Sequence, residues 1–409
     1  MLINPPRALL RSTRTPLRRR SFALRHATQR TPLAFGSLPG RSAGDRGVLR
    51  YEWIATCSKV EFVSATMRLT RLTMRLHAID PASPDPETIA DAAARLRVGE
   101  LVAFPTETVY GLGANALDAA AVARIFAAKG RPSFNPVIVH VAHTDAARRV
   151  VTSWPESAAK LAAAFWPGPL TIVLPKAPEV PDIVSAGLPF IGVRVPAHPV
   201  ALALLRAARV PVAAPSANKS NQLSPTSAEH VARGLADVDG IILDGGPCAV
   251  GIESTVIDLS TDVPTLLRPG GVSVAALESV LGVKVQRVVA SPGGDTPRRS
   301  PGALDRHYAP RALVRMVPSG DAVALATTID SVRADDAIIG VLAYSDFDLP
   351  FREDVVVRML PSRAEPYASV LFAALHELDA VGVSAIVVEA VPELPIWDAV
   401  RDRLRRAAF

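Results

Sequence analysis

Four polar residues with phosphate-binding or acid–base chemistry lie within one short segment of this 409-residue chain. In "KGRPSFNPVIVHV", Lys129 and Arg131 flank a glycine, Asn135 lies in a proline-broken loop, and His140 lies inside an apolar run typical of a buried strand. Arginine binds phosphate oxygens through planar bidentate contacts, and lysine acts as a point charge. A structural explanation also exists, because a lysine in the last helical turn complements the dipole and a histidine among valines is usually a core residue.

Polar residues recur where other short apolar segments end. The set comprises Thr108, Arg194, Ser216, Asn218, Ser254 and Arg268. In open α/β sheets, ligands bind beyond the strand ends, where loops bring such groups together. We therefore expect one cleft that holds several cations without a matching set of carboxylates, which suits a polyanion such as a triphosphate. The alternative is that Arg194 faces solvent and that "PTET" and "PSAN" are plain cap and turn chemistry.

Several well-known catalytic motifs are missing from the sequence. It contains no GxxxxGK[ST] phosphate loop, no GxGxxG, no HExxH, no CxxC pair and no GxSxG elbow. A phosphate site in this chain must therefore be built from side chains rather than from a glycine-rich loop.

The elements that would position these residues alternate between helices and short strands. Asp85, Pro86 and Gly99 predict the N-cap, first turn and end of one helix, and "DAAAVARIFAAKG" predicts a second helix that ends at Gly130. Strands are predicted for "LVAFP", "PVIVHV", "LTIVLP", "IGVRVP", "VPVAAP", "GIILDGG", "STVIDLS" and "TLLRPGG". Some strands follow one another without a helix, so the pattern predicts an α/β domain of about 200 residues with a mixed sheet.

A second, smaller domain is predicted after residue 310. Residues 290–310, "ASPGGDTPRRSPGALDRHYAP", are rich in Gly, Pro and charge and have no periodicity, which is typical of a linker. After it, "AIIGVLAY", "DVVVRML" and "SAIVVEAV" alternate with helical segments such as "EPYASVLFAALHELDAVG". This rhythm predicts a small parallel α/β sheet.

The amino-acid composition is typical of a globular protein and argues against a membrane-spanning or disulfide-rich one. The chain is 49% hydrophobic and 21% charged, and no stretch of 18 uncharged apolar residues indicates a transmembrane helix. Two cysteines, Cys57 and Cys248, offer neither a disulfide framework nor zinc-site spacing, which fits a reducing compartment. We expect no membrane partner.

The net charge of +6 is unevenly distributed. Residues 1–73 hold 14 basic and 3 acidic residues, whereas the remainder holds 31 basic and 36 acidic residues. The acid-poor head is predicted to be disordered, and three explanations stay open: a transit peptide, a nucleic-acid or membrane-surface arm, or a start site placed too early, since Met67 and Met74 are in frame. We expect a cytoplasmic protein, or a mitochondrial one if the head is a genuine transit peptide.

The ordered motifs identify a family resemblance. "FPTETVYGLG", "KGRPSFNPVIVHV", "WPGPLTIVL", "VRVPAHP", "APSANKS", "STVIDLS" and "LLRPGG" occur in this order and strongly resemble the YrdC/Sua5 family of threonylcarbamoyl-AMP synthases. The resemblance implies a YrdC-like twisted mixed sheet with flanking helices over 76–285 and a linker over 286–310. It also implies a Rossmann-like parallel α/β C-terminal domain over 311–409, and it does not cover 1–73. "SPGALDRHYAP" is similar to the linker of the longer Sua5 type, although "GALD" stands where relatives often carry Met and basic residues.

The resemblance also implies a reaction. Members of the family join L-threonine, bicarbonate or CO2, and ATP into L-threonylcarbamoyladenylate and pyrophosphate. The product serves the N6-threonylcarbamoyladenosine modification of tRNA, so a hand-off to a tRNA threonylcarbamoyltransferase complex is implied. Mg2+ is expected to arrive with the ATP phosphates rather than in a cluster of side chains.

Site roles follow from the resemblance residue by residue. The family signature maps onto catalytic residues Lys129, Arg131, Ser216 and Asn218. The threonine side maps onto Thr108, His140, Arg194, Ala214 and Ser254. The ATP side maps onto Arg131, Asn135, Phe190, Ser216, Ser224, Arg268 and Tyr308.

Two rival functions remain open from the residues alone. The cationic cleft could hold a tRNA backbone in an RNA-binding module, but the acidic body and the 5% aromatic content argue for a weak RNA contact at most. A carbamoyltransferase of related fold would use carbamoyl phosphate, but the sequence has no acylphosphatase or zinc-finger segment to support it.

Overall fold

The computed structural model describes residues 74–288, 300, 307–334, 337–347 and 352–408. These residues belong to one compact unit. We call 74–288 the first domain and 307–408 the second domain. The expectations for residues 1–73, and most of those for the linker, lie outside the described residues.

The first domain is built on one large sheet. Its strands in the described chain are β1 (Arg75–Ala78), β2 (Val102–Phe104), β3 (Gly111–Asn115), β4 (Val139–His140), β5 (Leu170–Pro175), β6 (Phe190–Arg194), β7 (Val212–Ala213), β8 (Ile241–Asp244), β9 (Thr255–Asp258), β10 (Thr265–Arg268) and β11 (Gln286–Arg287). They lie in the order β1-β8-β2-β3-β7-β4-β6-β5-β9-β10-β11.

The sheet is mixed, as predicted. β1, β8 and β2 are parallel neighbours, and so are the pairs β4–β6, β5–β9 and β10–β11. The pairs β2–β3, β3–β7, β7–β4, β6–β5 and β9–β10 are antiparallel. β4 lies between β6 and β7, so His140 is beside Arg194 in the sheet.

Helices cover both faces of this sheet. They are α1 (Pro86–Arg97), α2 (Ala119–Lys129), α3 (Thr144–Arg148), α4 (Glu156–Phe165), α5 (Asp182–Ser185), α6 (Pro199–Ala208), α7 (Ala228–Gly234) and α8 (Val274–Leu281). α1 packs on α6 over Phe104 and Ile241, whereas Ile125, Leu161 and Leu277 of α2, α4 and α8 belong to a separate apolar core. These two layers leave the strand ends as the accessible edge for polar side chains.

Local signals set the predicted helix ends. The Asp85 side chain accepts a hydrogen bond from the Thr88 N–H at 2.8 Å, and Asp118 accepts from Ala120 and Ala121. α2 ends at Gly130 in the left-handed region, with φ of 59°. This ending matters for the site because it turns the chain directly after Lys129.

The second domain has a parallel sheet. Its strands are β12 (Leu313–Val317), β13 (Ile339–Ala343), β14 (Val355–Met359) and β15 (Ala385–Glu389), in the order β12-β15-β13-β14 with all neighbours parallel. Its helices are α9 (Ala322–Ser331), α10 (Ala364–Val381) and α11 (Asp398–Ala407), with a 3-10 turn at Pro395–Trp397. Leu325 and Ile329 of α9 pack with Val341 in one cluster, whereas Leu371 of α10 and Leu404 of α11 pack with Leu342 in another. Apolar layers therefore cover both faces of this sheet, as is usual for parallel strands.

The two domains share an apolar cluster. Val109, Leu223 and Ile252 of the first domain pack with residues of α10 and α11, including Phe372 and Leu404. The second domain thus lies against the loops that follow the first domain's strands.

Three details differ from the sequence-based expectations. "PVIVHV" contributes only Val139–His140 as a strand, and "GLGAN" forms the unexpected strand β3. The segment expected to be linker from residue 286 begins with β11, which pairs in parallel with β10. Residues 286 and 287 therefore belong to the large sheet.

Candidate functional site

A cleft opens where the loops of the first domain meet the second domain. Nine of the sequence-predicted site residues line it: Thr108, Arg131, His140, Arg194, Ala214, Ser216, Ser254, Arg268 and Tyr308. Its wall also contains Thr106, Val109, Gly111, Ile138, Pro215, Glu253 and His307. The fold thus brings together residues that lie up to 200 positions apart in sequence.

Arg194 is fixed at one end of the cleft by contacts from three segments. Its Nη2 donates to Glu107 Oε1 at 2.7 Å, its Nη1 to Thr108 Oγ1 at 3.0 Å and its Nε to the Gly168 carbonyl at 3.2 Å. The second oxygen of Glu107 accepts the Ala197 N–H at 2.9 Å. The three residues that accept from Arg194 are buried, so the guanidinium is held in one orientation beside the cleft.

The expectation of cations without matching carboxylates was therefore wrong for this cleft. Glu107 pairs with Arg194, and Glu253, which also lines the wall, pairs with Arg403 of the second domain at 2.7 Å. "PTET" and "GIES" contain these glutamates, but the sequence does not show which cations they meet. Both residues belong to the site that sequence reasoning assigned to cations, hydroxyls and amides alone.

Arg131 is anchored by the turn that follows α2. Its Nε donates to the Asn135 carbonyl at 3.0 Å, and its Nη2 to the Pro136 carbonyl at 2.7 Å. Burial lowers the pKa of Arg131 to about 10, so the side chain is still a cation at neutral pH. Asn135 does not line the cleft; its backbone instead shapes the loop that holds Arg131.

Lys129 lies behind the cleft wall. Its Nζ donates to the backbone carbonyls of Ser216 and Asn218, and the residue is 2% exposed. Burial, with the nearby charges of Arg131 and Lys219, lowers the pKa of Lys129 well below its usual value. These contacts favour a role in positioning the Ser216–Asn218 loop over direct contact with phosphate.

The same loop is braced from its other side. The Asn218 Nδ2 donates to the Lys219 carbonyl at 2.9 Å and to the Gln222 carbonyl at 2.8 Å. Asn218 thus stands outside the wall, whereas Ser216 lines it. Lys129 and Asn218 together set where the Ser216 hydroxyl lies.

Arg268 and Ser254 form a third corner of the cleft. Arg268 donates through Nε and Nη2 to the Ser254 carbonyl at 3.0 and 2.9 Å, and through Nη2 to Ser254 Oγ at 3.1 Å. The Ser254 hydroxyl also contacts Thr171 Oγ1 at 2.8 Å. Burial lowers the pKa of Arg268 from its usual value.

His140 faces the cleft as a neutral imidazole. Burial, followed by the charge of Arg194, lowers the pKa of His140 to about 3. Its ring meets Phe104 edge-on with centroids 6.2 Å apart. At neutral pH the ring therefore adds a polar edge without adding charge.

The linker contributes the last part of the wall. Tyr308 is 1% exposed and adopts φ of 59°, and its ring packs on Phe372 and beneath Arg403. Its neighbour His307 also lines the cleft, a residue that the retained "RHYAP" motif contains but that sequence reasoning left without a role. Burial and the charge of Arg131 lower the pKa of His307 below its usual value.

The remaining sequence-predicted residues stand away from the wall. Phe190 begins strand β6 and is half-buried. Ser224 is buried and donates its hydroxyl proton to Glu253, so it touches the site through that carboxylate. Neither residue lines the cleft wall.

Within the part of the chain that the structure describes, no group of three or more His, Cys, Asp and Glu residues is placed to hold a metal ion. No helix in those ranges is long and apolar enough to span a membrane.

Known proteins match the chain over most of its length. Residues 94–270 match the family model Sua5_yciO_yrdC, described as "Telomere recombination", and residues 272–409 match the "Threonylcarbamoyl-AMP synthase, C-terminal domain" model. The threonylcarbamoyl-AMP synthase of Pyrococcus abyssi is 44% identical over 78% of this chain and 93% of its own length, and that of Bacillus subtilis is 42% identical over 80% and 95%. The crystal structure of P. abyssi Sua5 complexed with L-threonine superposes with a TM-score of 0.75 at 42% identity, covering 81% of this chain and 97% of that one. The chain therefore belongs to the Sua5 family of threonylcarbamoyl-AMP synthases.

Proposed function

We propose that this chain joins L-threonine, bicarbonate or CO2, and ATP into L-threonylcarbamoyladenylate and pyrophosphate. The observation that carries the proposal is the convergence of Arg131, Arg194 and Arg268 on one cleft that also presents hydroxyls and a neutral histidine. Three arginines suit a ligand with several anionic oxygens.

The threonine end is assigned to the corner around Arg194. Its guanidinium is oriented by Glu107 and Thr108, which leaves it suited to a carboxylate, while the neutral His140 and the small Ala214 complete the wall. The P. abyssi relative is a protein solved with L-threonine, which supports threonine as a substrate here.

The phosphate end is assigned to Arg131, Arg268 and Ser216. Threonine's amine attacks CO2, forms an N–C bond and loses a proton, which gives a carbamate. A carbamate oxygen then attacks the α-phosphorus, a new P–O bond forms, and the P–O bond to pyrophosphate breaks. The negative charge that develops on the departing pyrophosphate is spread over these donors, so positioning and electrostatics supply most of the rate acceleration. Lys129 supports this end by holding the Ser216–Asn218 loop.

Mg2+ is assigned to the ATP phosphates rather than to protein ligands. The carboxylates that line the cleft, Glu107 and Glu253, are each engaged by an arginine, which leaves them poorly placed as metal ligands. Bound with ATP, the ion would neutralise phosphate charge, and the chain's own residues would orient the nucleotide.

The product is assigned to tRNA modification. The adenylate would pass to a tRNA threonylcarbamoyltransferase complex for the N6-threonylcarbamoyladenosine modification, in the cytoplasm. A weak direct contact with RNA is compatible with this hand-off.

One incubation tests the proposed reaction. The full chain is mixed with ATP, Mg2+, L-threonine and labelled bicarbonate, and the expected result is label in L-threonylcarbamoyladenylate with pyrophosphate released. Omitting threonine should abolish both signals. An adenylate that lacks the label would contradict the proposal. Binding of RNA in the cleft, with an affinity that falls steeply as salt rises, would also contradict it.

A further inference from the structure

We infer that Arg403, on the last helix of the second domain, positions the ATP end of the cleft by neutralising Glu253. The inference rests on the proposed function and deepens it. It makes the second domain part of the substrate site, because a residue more than a hundred positions beyond the cleft's other cations completes the site's charge balance.

The geometry places Arg403 against three parts of the site at once. The residue is 1% exposed, its Nε donates to Glu253 Oε2 at 2.7 Å, and its Nη1 donates to the Pro269 carbonyl at 3.0 Å. Its guanidinium carbon lies 5.1 Å from the centroid of the Tyr308 ring. Pro269 follows Arg268 directly, so one side chain braces the Arg268 turn, the linker tyrosine and a cleft carboxylate.

Glu253 is the residue through which Arg403 acts on ATP. It lines the cleft and is 5% exposed, and its other oxygen accepts the Ser224 hydroxyl proton. Arg268 donates to the carbonyl of Ser254, the residue that follows Glu253, so the two charged residues are neighbours in the cleft wall. With Arg403 in place, the Glu253 carboxylate is paired with a cation that does not line the cleft, so its charge opposes phosphate binding less.

Removing the Arg403 charge should leave the Glu253 carboxylate without its partner in the second domain. A buried carboxylate without its partner is costly, so Glu253 would turn to the next cation, which is Arg268. It would also repel the phosphates that the cleft is proposed to bind. ATP affinity should fall, whereas the threonine end, which is held by Glu107 and Thr108, should change little.

Variants of two other arginines distinguish a role of Arg403 in ATP binding from a role in holding the two domains together. Arg287 of β11 pairs with Asp398 of α11 at 2.6 Å, which is a domain–domain ion pair outside the cleft. Arg405 lies on the same helix as Arg403 and is exposed. Arg287→Gln and Arg405→Gln are therefore matched controls for the loss of a charge at the interface and on the helix.

The test uses the full chain with Arg403→Gln, Glu253→Gln and the double variant beside these controls. Arg403→Gln should raise the KM for ATP about tenfold while the KM for threonine stays within about twofold of wild type. ATP affinity measured by calorimetry without threonine should fall by the same factor. The double variant, which has no carboxylate to neutralise, should recover most of the ATP affinity, and the two controls should match wild type.

Several results would overturn the assignment of Arg403. These are a wild-type KM for ATP in Arg403→Gln, a double variant as weak as the single one, or an equal loss in Arg287→Gln. Thermal unfolding identifies a variant that does not fold. If Arg403→Gln does not fold, Arg403→Lys, which keeps the charge, takes its place and should bind ATP within about threefold of wild type. A tenfold or greater loss of ATP affinity in folded Arg403→Lys refutes the idea. Failure of the wild-type chain to form labelled adenylate would instead refute the proposed function, while the calorimetric comparison still tests Arg403.

Discussion

Both domains carry buried carboxylates near the ends of sheet strands, but the groups that donate hydrogen bonds to these carboxylates differ between the domains. In the first domain, Glu107 and Glu253 pair with the arginine side chains Arg194 and Arg403. In the second domain, Glu389 ends strand β15 at 0% exposure and accepts hydrogen bonds from three backbone N–H groups. The first-domain carboxylates orient arginine side chains, whereas Glu389 holds backbone loops together.

The second-domain arrangement ties the ends of three parallel strands together. Glu389 accepts from Gly320 N–H at 3.0 Å, Tyr344 N–H at 2.8 Å and Ser345 N–H at 2.9 Å, and also from the Ser345 hydroxyl. These residues follow β12 and β13, which flank β15 in the sheet. The strand-end crevice where open α/β sheets usually bind ligands is thus used for internal hydrogen bonding.

The contrast shows how the strand ends of two α/β domains can differ: those of the first domain line a cleft, and those of the second domain are hydrogen-bonded to each other. Backbone N–H groups that meet a carboxylate are used up by it, whereas an arginine has five N–H donors and keeps some for a ligand. Arg194, for example, contacts Glu107, Thr108 and Gly168 while it lines the cleft. The type of donor that meets the carboxylate therefore decides whether the strand end serves a ligand or the fold.

Removing the Glu389 carboxylate should have the largest effect. Glu389→Ala removes a buried carboxylate that accepts four hydrogen bonds, and we expect the free energy of unfolding to fall by about 4 kcal/mol. Urea unfolding followed by circular dichroism measures the change. Glu393→Ala removes an exposed glutamate four residues away and is the matched control.

The comparison also predicts what Glu389→Ala should leave intact. At a temperature well below its unfolding transition, adenylate formation should stay within about threefold of wild type, because Glu389 has no contact with the cleft wall. If stability were unchanged, the carboxylate would not be holding the strand-end loops. If adenylate formation fell as far as we expect for Arg194→Ala, the strand ends of the second domain would also serve catalysis, and the comparison between the domains would be wrong.

Arg194→Ala should give the next largest effect, this time on chemistry. Losing a preoriented donor typically costs about 3 kcal/mol, so kcat/KM should fall about 10²-fold while the chain still folds. ATP-to-pyrophosphate exchange in the presence of threonine measures the loss. Arg206→Ala, which removes an exposed arginine of α6, serves as its control; exchange at the wild-type level in Arg194→Ala would refute the threonine-end assignment.

The sequence was informative about the fold wherever local physics decides the structure. Capping residues located α1 and α2 because a helix end must satisfy its own backbone groups nearby. Strand β3 was missed because "GLGAN" lacks β-branched residues. In the structure, a side chain at Gly113 would approach Phe104 and Val212 to 2.9 Å, so close packing across the sheet requires the glycine.

The site was only partly predictable because residue type does not give side-chain direction. Motif positions identified the nine residues that meet in the cleft, but Lys129 and Asn218 turn toward backbone carbonyls behind its wall. The pair Glu253–Arg403 joins residues 150 positions apart in different domains. No spacing rule links such residues, so only the folded chain shows that they pair.

Lys129→Met should have a smaller effect and one that differs in kind from Arg194→Ala. The Lys129 Nζ donates to two carbonyls of the Ser216–Asn218 loop, and losing both hydrogen bonds should cost about 2 kcal/mol, or about 30-fold in kcat. The KM for ATP should change little if Lys129 acts through the loop. A large rise in that KM would instead show direct contact with phosphate. Lys160→Met, which removes an exposed lysine of α4, controls for the loss of a lysine.

The last prediction compares one buried histidine from each domain under mild acid, where each should cost the folded chain about 2 kcal/mol between pH 7 and 5. Burial lowers the pKa of His140, beside the cleft, to about 3, and that of His376, on α10, to about 4. The unfolded chain takes up these protons near pH 6.5, so the unfolded state binds more protons than the folded state below that pH. Stability is therefore fully present above pH 6.5 and is lost as pH falls toward 4, by about 1.4 kcal/mol per pH unit for each histidine. Urea unfolding between pH 7 and 5 should show this slope, and His140→Asn or His376→Asn should each remove about one histidine's share; a slope that neither substitution changes would mean that both imidazoles are already protonated in the folded chain.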